Sequence, residues 1–273
     1  MSEQIIPNLQ KEKIMELLKE DKRLDGRSLT EYRKIEIEKG ISKNAESSAR
    51  VRIGNTEVYA GVKTEIVEPY PDSPDEGTFM TTVELHPMSS DYFDLGKPGV
   101  ESVELARIID RGIRESGFID FKKLCIKPGE KVWQIFLDII TINDDGNLLD
   151  VAGLASLIAI GNAKLPKYNK KTYELEHELS DEGIPLNKEA LSFNMTIHKI
   201  GNSIVADVNS EEEQISDYRL SIAIGDHKGN PRITAIQKGR SGTISDNDMQ
   251  NILSLVEKKY KEVFPEVKKY VFD

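Results

Sequence analysis

Residues 132–163 have the sequence VWQIFLDIITINDDGNLLDVAGLASLIAIGNA. The first part, Val132–Ile142, is dense in β-branched and aromatic residues, and Asp138 is its one charge, which predicts a largely buried strand. The Asn, Asp and Gly residues at 143–147 are typical of a turn. Leu148–Asn162 opens as a segment that is apolar or small on nearly every side, and a helix without a polar face belongs inside a domain. The pattern therefore predicts a strand, a tight turn and a helix at the centre of the fold.

The turn between this strand and this helix is a candidate anion site. Free N–H groups and the helix dipole both point out of a helix N-terminus, where phosphate binds readily. A site built for phosphate also needs hydroxyl or guanidinium donors beside the glycine. Gly146-Asn147-Leu148 supplies neither, since Leu148 is apolar. The residues alone favour a tight turn that feeds a core helix.

Length and composition indicate a globular protein with an ample core. The chain has 273 residues, of which 38% are hydrophobic and 31% charged, and its formal net charge is −10. An acidic chain is not a globally basic nucleic-acid binder, so any contact with RNA must come from a local basic surface. The one cysteine, Cys125, cannot form an intramolecular disulfide, and no apolar run approaches the ~18 residues of a membrane span. Because the first residues also lack signal-peptide character, we expect a cytoplasmic protein without membrane contact.

Alternating apolar residues predict further strands on both sides of this central unit. The tripeptide Ile-Gly-Asn occurs at residues 53–55 and again at residues 200–202, each time between two alternating segments. Gly and Asn in that position are typical of hairpin turns. The repeat suggests two halves built on one plan, although chance could also give a tripeptide match. We predict one α+β domain over residues 1–273, with two similar halves that are each a mixed sheet carrying helices.

Three other segments carry weaker signals. Ile14, Leu17 and Leu18 predict a short amphipathic helix near residues 10–20, an extension that packs on a neighbouring subunit or on the core. Residues 165–183 are polar and weakly periodic, which predicts an elaborated surface loop. In the acidic stretch 209–217, a solvated loop is the simpler interpretation for residues 211–213. Asp217 adjoins a predicted strand, and we keep open whether it belongs to that loop or binds a metal or a proton.

Two basic segments are candidate RNA contacts. The segment Glu101–Ser116 predicts a helix that is apolar on one side and carries Arg107, Arg111 and Arg114 on the other. Glu104 and Asp110 are near enough to these arginines for local ion pairs, so a solvated face is the alternative. Guanidinium groups make bidentate and stacking contacts, which favours phosphate or base recognition. Residues 237–242, with Lys238 and Arg240, form a glycine-rich loop that is either a plain turn before a capped helix or a contact to the RNA backbone.

These segments, in this order and spacing, resemble the RNase PH family of phosphorolytic 3′→5′ exoribonucleases. More closely, the chain is similar to the non-catalytic RNase PH-like subunits of the archaeal exosome. The likeness covers nearly the whole chain and implies the RNase PH-like fold, also called ribosomal-protein-S5-domain-2-like. The segments that carry it are Arg23-Leu24-Asp25-Gly26-Arg27, Glu104-Leu105-Ala106-Arg107 with Arg111 and Arg114, Trp133–Ala163, Asp217, and Gln237-Lys238-Gly239.

The resemblance also implies which parts of the site are lost. In active family members the turn before the core helix reads Gly-Ser/Thr-Arg and binds the attacking phosphate, whereas here it reads Gly146-Asn147-Leu148. Asp217 matches the family's catalytic aspartate, a proton donor or metal ligand. Phosphorolysis needs phosphate and an acid in one site. Asp217 alone would therefore not support catalysis, and we regard it as a candidate remnant of the family's catalytic site. We expect no catalytic residue and no metal ligand in this chain.

The resemblance implies partners as well. Three copies would alternate with three copies of a catalytic sister subunit in a hexameric ring, under a trimeric RNA-binding cap. Arg107 and Arg111 match positions that contact single-stranded RNA, and Arg114 is a further candidate. Magnesium and phosphate would serve the sister's site only. Two alternatives stay open: an active exoribonuclease that uses Asp217 with the Lys238–Arg240 loop, and a plain scaffold that never touches RNA.

Overall fold

The computed structural model describes residues 8–169, 171–227 and 230–272. The first half of the chain forms a six-stranded sheet with the order β1-β2-β3-β6-β4, and β5 also pairs with β6. In chain order its elements are α1 (Asn8–Lys19), β1 (Ile35–Lys39), β2 (Ser47–Ile53), β3 (Thr56–Val67), β4 (Thr78–Glu84), α2 (Val100–Arg114), β5 (Cys125–Lys127) and β6 (Lys131–Asn143).

Strand β6 lies between β3 and β4 in this sheet. It pairs antiparallel with β3 and parallel with β4, so the sheet is mixed, as predicted. The side chains of Val132, Trp133, Ile135, Leu137 and Ile139 are buried. The backbone groups of β6 are therefore hydrogen-bonded along both edges of the strand. Its β-branched residues are of the types favoured in strands.

The second half of the chain forms a four-stranded sheet with the order β10-β9-β11-β12. All its neighbouring strands run antiparallel, so the prediction of a mixed sheet holds for the first half only. In chain order its elements are α3 (Leu148–Gly161), β7 (Lys164–Tyr168), β8 (Leu175–Gly183), β9 (Ser192–Ile200), β10 (Ser203–Ala206), α4 (Ser210–Gln214), β11 (Tyr218–His227), β12 (Asn230–Gly239) and α5 (Asp246–Phe272).

Helix α3 joins the two sheets. It contacts β2 and β3 on one side and β9, α2 and α5 on others, and every residue from Leu149 to Ile160 is buried. This confirms the prediction of a core helix. A helix packed on all sides needs no polar face, which explains its composition. The main hydrophobic cluster therefore runs through both halves without a break.

Helix α1 packs on its own chain. Ile14 and Leu18 form a second, smaller cluster with Ile200, Val205 and Val208 of the second half. Helix α1 thus contacts the body of its own chain, and whether it also packs on a neighbouring subunit stays a prediction. No helix among the described residues is long and apolar enough to cross a membrane.

Two loop predictions are wrong. Lys164–Tyr168 and Leu175–Gly183 pair as the antiparallel strands β7 and β8, and Tyr168 packs edge-on against Trp133 with ring centroids 5.6 Å apart. In the acidic stretch, residues 210–214 form α4 instead of a loop, with a capping box between Asn209 and Glu212. Glu212 is 1% exposed, because Arg23 pairs with it in the interior.

Candidate functional site: a carboxylate-lined cavity and an arginine groove

The turn before α3 is held in one conformation from several sides. Gly146 and Asn147 both adopt left-handed backbone, with φ of 79° and 59°. A Cβ atom on Gly146 would lie 2.5 Å from the backbone carbon of Asn209, so only glycine fits. The Gly146 carbonyl accepts hydrogen bonds from Thr56 Oγ1 at 2.7 Å and from Arg33 Nη2 at 3.1 Å.

The buried carboxylate of Asp207 fastens this turn to the second half. It accepts hydrogen bonds from Asn147 Nδ2 at 2.8 Å, from Arg33 Nη2 at 2.8 Å and from Arg27 Nη1 at 2.9 Å. Burial alone would raise the pKa of Asp207, but the hydrogen bonds and charge of Arg33 hold it below its usual value. Asp207 therefore stays ionised in the interior and fixes Asn147 from behind.

The N-terminus of α3 already faces a carboxylate. The backbone N–H of Asn147 donates to Glu213 Oε2 at 3.0 Å. Glu213 comes from α4, whose neighbouring residue Glu212 is anchored by Arg23. Leu148, the first residue of α3, lines the space in front of the helix, and its apolar side chain brings no donor to it. The phosphate-binding groups that the family pattern requires are thus absent from Gly146-Asn147-Leu148.

A cavity of about 370 Å³ opens in front of this helix end. Burial and the neighbouring charge of Glu213 raise the pKa of Asp144 to about 6. The charged residues that line the cavity are the carboxylates of Glu101, Glu104, Asp144 and Glu213 and the guanidinium groups of Arg219 and Arg240.

Both arginines of this cavity are committed to groups of the protein. Arg219 Nη2 pairs with Glu104 Oε2 at 2.7 Å. Arg240 Nη1 donates to the backbone carbonyls of Gln214 at 2.9 Å and Ser216 at 3.0 Å. Glu104 therefore pairs across the fold, not with the arginines of its own helix as predicted.

Asp217 lies apart from the cavity. Its side chain is exposed, and its Oδ2 accepts a hydrogen bond from the Gly201 N–H at 2.8 Å, at the β9–β10 turn. Among the described residues, no group of three or more His, Cys, Asp or Glu side chains could hold a metal ion.

The three arginines of α2 have different surroundings. Arg107 and Arg111 are exposed and line a groove of about 680 Å³ between α2 and β12, with Arg111 loosely paired to Glu115 at 3.3 Å. Arg114 lies outside that groove. It pairs with Asp110 at 3.0 Å and donates to the carbonyl of Phe79 at 3.0 Å. The structure therefore brings together two of the three predicted RNA contacts.

The remaining candidate, Lys238, is exposed, but its Nζ donates to the carbonyl of Arg240 at 2.5 Å, so it stabilises its own loop. Sequence patterns missed Glu213, Asp207 and Arg219 as members of the site. Their partners lie 60 or more residues away in the chain. Nothing local in the sequence marks such pairs.

Two sheets pack around the buried helix α3, and a strand–turn–helix unit lies at the cavity. Sequence profiles of the 3′ exoribonuclease family match the chain twice: domain 1 at residues 31–166 and domain 2 at residues 194–258. The chain belongs to this family, also called the RNase PH family.

Close relatives carry exosome names. The chain is 43% identical over 274 residues to the exosome complex component Rrp42 of Thermococcus kodakarensis, with 99% of both chains covered. It is 41% identical over 272 residues to the Rrp42 of Pyrococcus horikoshii, covering 99% of this chain and 96% of the relative. A structure of the Archaeoglobus fulgidus exosome with RNA bound to the active site matches with a TM-score of 0.83 and 35% identity, covering 94% and 98% of the two chains.

Proposed function

We propose that this chain is a non-catalytic, RNA-guiding subunit of an exosome ring of the archaeal type. It would alternate with a catalytic RNase PH-like sister subunit in a hexameric ring and carry a trimeric RNA-binding cap. Sister and chain together would degrade single-stranded RNA from its 3′ end by phosphorolysis. Relatives named Rrp42 and the match to an archaeal exosome structure support this assembly.

One observation carries the non-catalytic part of the proposal. The turn Gly146-Asn147-Leu148 presents no hydroxyl or guanidinium donor, and its Asn147 N–H is bound by Glu213. Phosphorolysis requires inorganic phosphate held against the scissile bond, and several kcal/mol of transition-state stabilisation come from such donors. Without them, Asp217 has no partner for chemistry. Magnesium and phosphate would then act at the sister's site only.

The α2–β12 groove supports the RNA-guiding part. Arg107 and Arg111 lie one helical turn apart, and both extend into it. Guanidinium groups grip phosphates without reading sequence, which suits an enzyme complex that accepts many RNAs. The chain as a whole is acidic, with a net charge of −10, so this local pair supplies the positive charge that a phosphate contact needs.

The test is a reconstitution assay. The purified chain, mixed with inorganic phosphate and single-stranded RNA, should release no nucleoside diphosphate. Addition of the sister subunit should give phosphate-dependent decay faster than the sister alone. Release of nucleoside diphosphates by the lone chain would overturn the proposal, as would a sister whose activity is indifferent to this chain.

A second variant addresses the alternative of an active site in this chain. Asp217→Asn in the assembled ring should leave RNA decay unchanged, because Asp217 binds the Gly201 N–H and lies outside the cavity. A large loss of decay, with the ring still assembled, would instead favour an active site built on Asp217.

A further inference from the structure

We propose that the catalytic sister subunit docks on the surface formed by residues 88–103, here called the apolar loop surface. This inference rests on the proposed function and deepens it, because it names the surface through which the chain meets that partner. The matching face of the sister is apolar at its centre and basic at its rim. Once docked, the sister forms the second wall of the α2–β12 groove.

Exposed apolar side chains are concentrated in this short stretch between the end of β4 and the first turn of α2. Five large apolar side chains in it are 42–82% exposed: Met88, Tyr92, Leu95, Val100 and Val103. Tyr92, Leu95 and Val100 line a single groove of about 590 Å³. Isolated exposed apolar residues are ordinary, whereas a contiguous group of them is typical of a surface that binds another protein.

The loop that carries these side chains is held at both ends. After β4, the His86 N–H donates to Thr141 Oγ1 at 2.9 Å, and Ser89 Oγ lies 2.9 Å from the same hydroxyl. At the start of α2, Ser102 Oγ donates to the carbonyl of Val83 at 2.5 Å. A segment that is already fixed in this way loses less conformational entropy when a partner binds, which favours docking.

The apolar loop surface continues directly into the α2–β12 groove. Val100 lines both grooves, and Val103 lies one helical turn before Arg107. A protein seated on this surface therefore becomes the opposite wall of the arginine groove. Since residues 146–148 lack phosphate donors, Arg107 and Arg111 can guide RNA only to a site that another chain supplies. This selects the sister, which carries such a site, over a cap subunit or a second copy of this chain.

Acidic side chains surround the apolar ones. Asp91, Asp94 and Glu101 are exposed, and none of them takes part in a salt bridge with another described residue. Lys97 is the only lysine or arginine between residues 86 and 103. An acidic rim attracts a basic face and repels another acidic one. A second copy of this chain, with its net charge of −10, is therefore a poor partner for the surface.

The test measures the affinity of the purified sister subunit for the full chain and its variants by isothermal titration and analytical ultracentrifugation. Leu95→Asp with Val100→Asp places two charges at the apolar centre and should weaken binding at least about a hundredfold. Both side chains are more than three-quarters exposed, at 82% and 78%, so the fold should be retained, and thermal unfolding followed by circular dichroism checks this.

The matched control is Tyr70→Asp with Leu179→Asp. It makes the same change in net charge on exposed apolar residues that line neither groove. Its affinity for the sister should stay within about threefold of that of the unaltered chain, because surface substitutions outside an interface have small effects.

Two further measurements locate the contact and the charge of the partner's face. In the unaltered chain, the amides of residues 88–103 should exchange hydrogen at least about tenfold more slowly when the sister is bound. Asp91→Asn with Asp94→Asn should slow association with the sister at low salt and leave the rate at high salt unchanged, because only the long-range attraction is removed.

The inference is overturned if the Leu95→Asp, Val100→Asp variant binds the sister as tightly as the unaltered chain, or if the control pair loses as much affinity. It is also overturned if residues 88–103 stay unprotected in the complex, or if the asparagine variant associates faster. In all these cases the unaltered chain still binds the sister, so the proposed function stands. A sister that does not bind the unaltered chain contradicts the proposed function itself.

Discussion

Two aspartates near the turn before α3, Asp207 buried and Asp144 half-buried, illustrate how the local environment sets the charge of a side chain. Asp207 is 0% exposed, yet two arginines and Asn147 donate to it, and its pKa lies below the usual value in spite of burial. Asp144 is half-buried, and desolvation together with the neighbouring charge of Glu213 raises its pKa to about 6. The first charge stabilises the fold and the second opposes it.

Asp144 therefore predicts a pH dependence of stability. Its pKa in the folded chain, about 6, exceeds the model-peptide value of 3.8. The stability that Asp144 contributes is therefore fully present below pH 3.8 and is lost as pH rises through 6. In Asp144→Asn the amide oxygen can still accept the Gly146 N–H, and the titration is gone. Between pH 4 and pH 7 the free energy of unfolding of the variant should rise relative to the unaltered chain by about 1–3 kcal/mol. Urea unfolding at several pH values measures this difference.

A control of opposite sign is available in Asp248. Its pKa is lowered by the hydrogen bond from Lys199, so the unaltered chain gains stability as pH rises through the acid range, and Asp248→Asn should lose that gain. A difference between Asp144→Asn and the unaltered chain that does not change with pH would contradict the prediction.

At the scale of single elements, α2 serves two purposes on two faces. Leu105, Ile109 and Gly112 pack inward, and a Cβ atom on Gly112 would lie 3.1 Å from Asn194 Oδ1, so the glycine allows a close approach to β9. The outward face carries Arg107 and Arg111. The helix is therefore rigidly seated while its two arginines remain available to a ligand.

The outward arginines of α2 give the second prediction. In the assembled ring, Arg107→Glu with Arg111→Glu should weaken binding of single-stranded RNA, because two phosphate contacts are lost and replaced by repulsion. The slope of log K against log salt should become shallower by about 1.4, at roughly 0.7 per phosphate contact. Filter binding or fluorescence anisotropy at several salt concentrations measures both quantities.

The matched control for that experiment lies on α5. Lys258→Glu with Lys268→Glu makes the same change in net charge on exposed side chains that do not line the groove. It should leave the salt slope unchanged. If the α2 variant also leaves affinity and slope unchanged, the chain is a scaffold that does not touch RNA.

Elements with strong periodicity could be predicted from sequence, and those stabilised by distant partners could not. The apolar patterns of the sequence predict the ends of β6 and α3 within one residue of the observed ends. The hairpin β7–β8 was missed because its residues are polar and it is supported by Tyr168 against Trp133. Helix α4 was missed because its acids suggest solvent, whereas Arg23, 189 residues away, buries Glu212.

The candidate site follows the same division. The absence of phosphate donors at residues 146–148 was visible in the sequence, because it depends on residue types in a turn. The internal occupation of the same turn by Glu213 was not, because it depends on a contact between segments 66 residues apart. Arg114 was predicted as an RNA contact, and its pairing with Asp110 and the Phe79 carbonyl appears only in three dimensions.

At the scale of the whole molecule, the two halves are joined in two ways. The main hydrophobic cluster contains residues of both sheets, with α3 between them. The segment that links α1 to β1 adds a second connection, because Arg23, Arg27 and Arg33 bind groups at residues 206–212, and Arg33 also binds the carbonyls of Asp145 and Gly146. Neither half can lose its structure without exposing apolar surface or buried charge of the other.

This joint core predicts a single unfolding transition for the two family domains. Trp133, the only tryptophan, is 5% exposed in the first sheet, so its fluorescence reports on the first half. Far-UV circular dichroism includes α5 of the second half. The two signals should coincide in guanidinium chloride. Asp207→Ala leaves Arg27 and Arg33 buried without their carboxylate, so it should lower the free energy of unfolding by about 3–5 kcal/mol. The fluorescence and circular dichroism transitions should move together. Separate midpoints for fluorescence and circular dichroism would mean that the halves fold as independent units and that α3 belongs energetically to one of them.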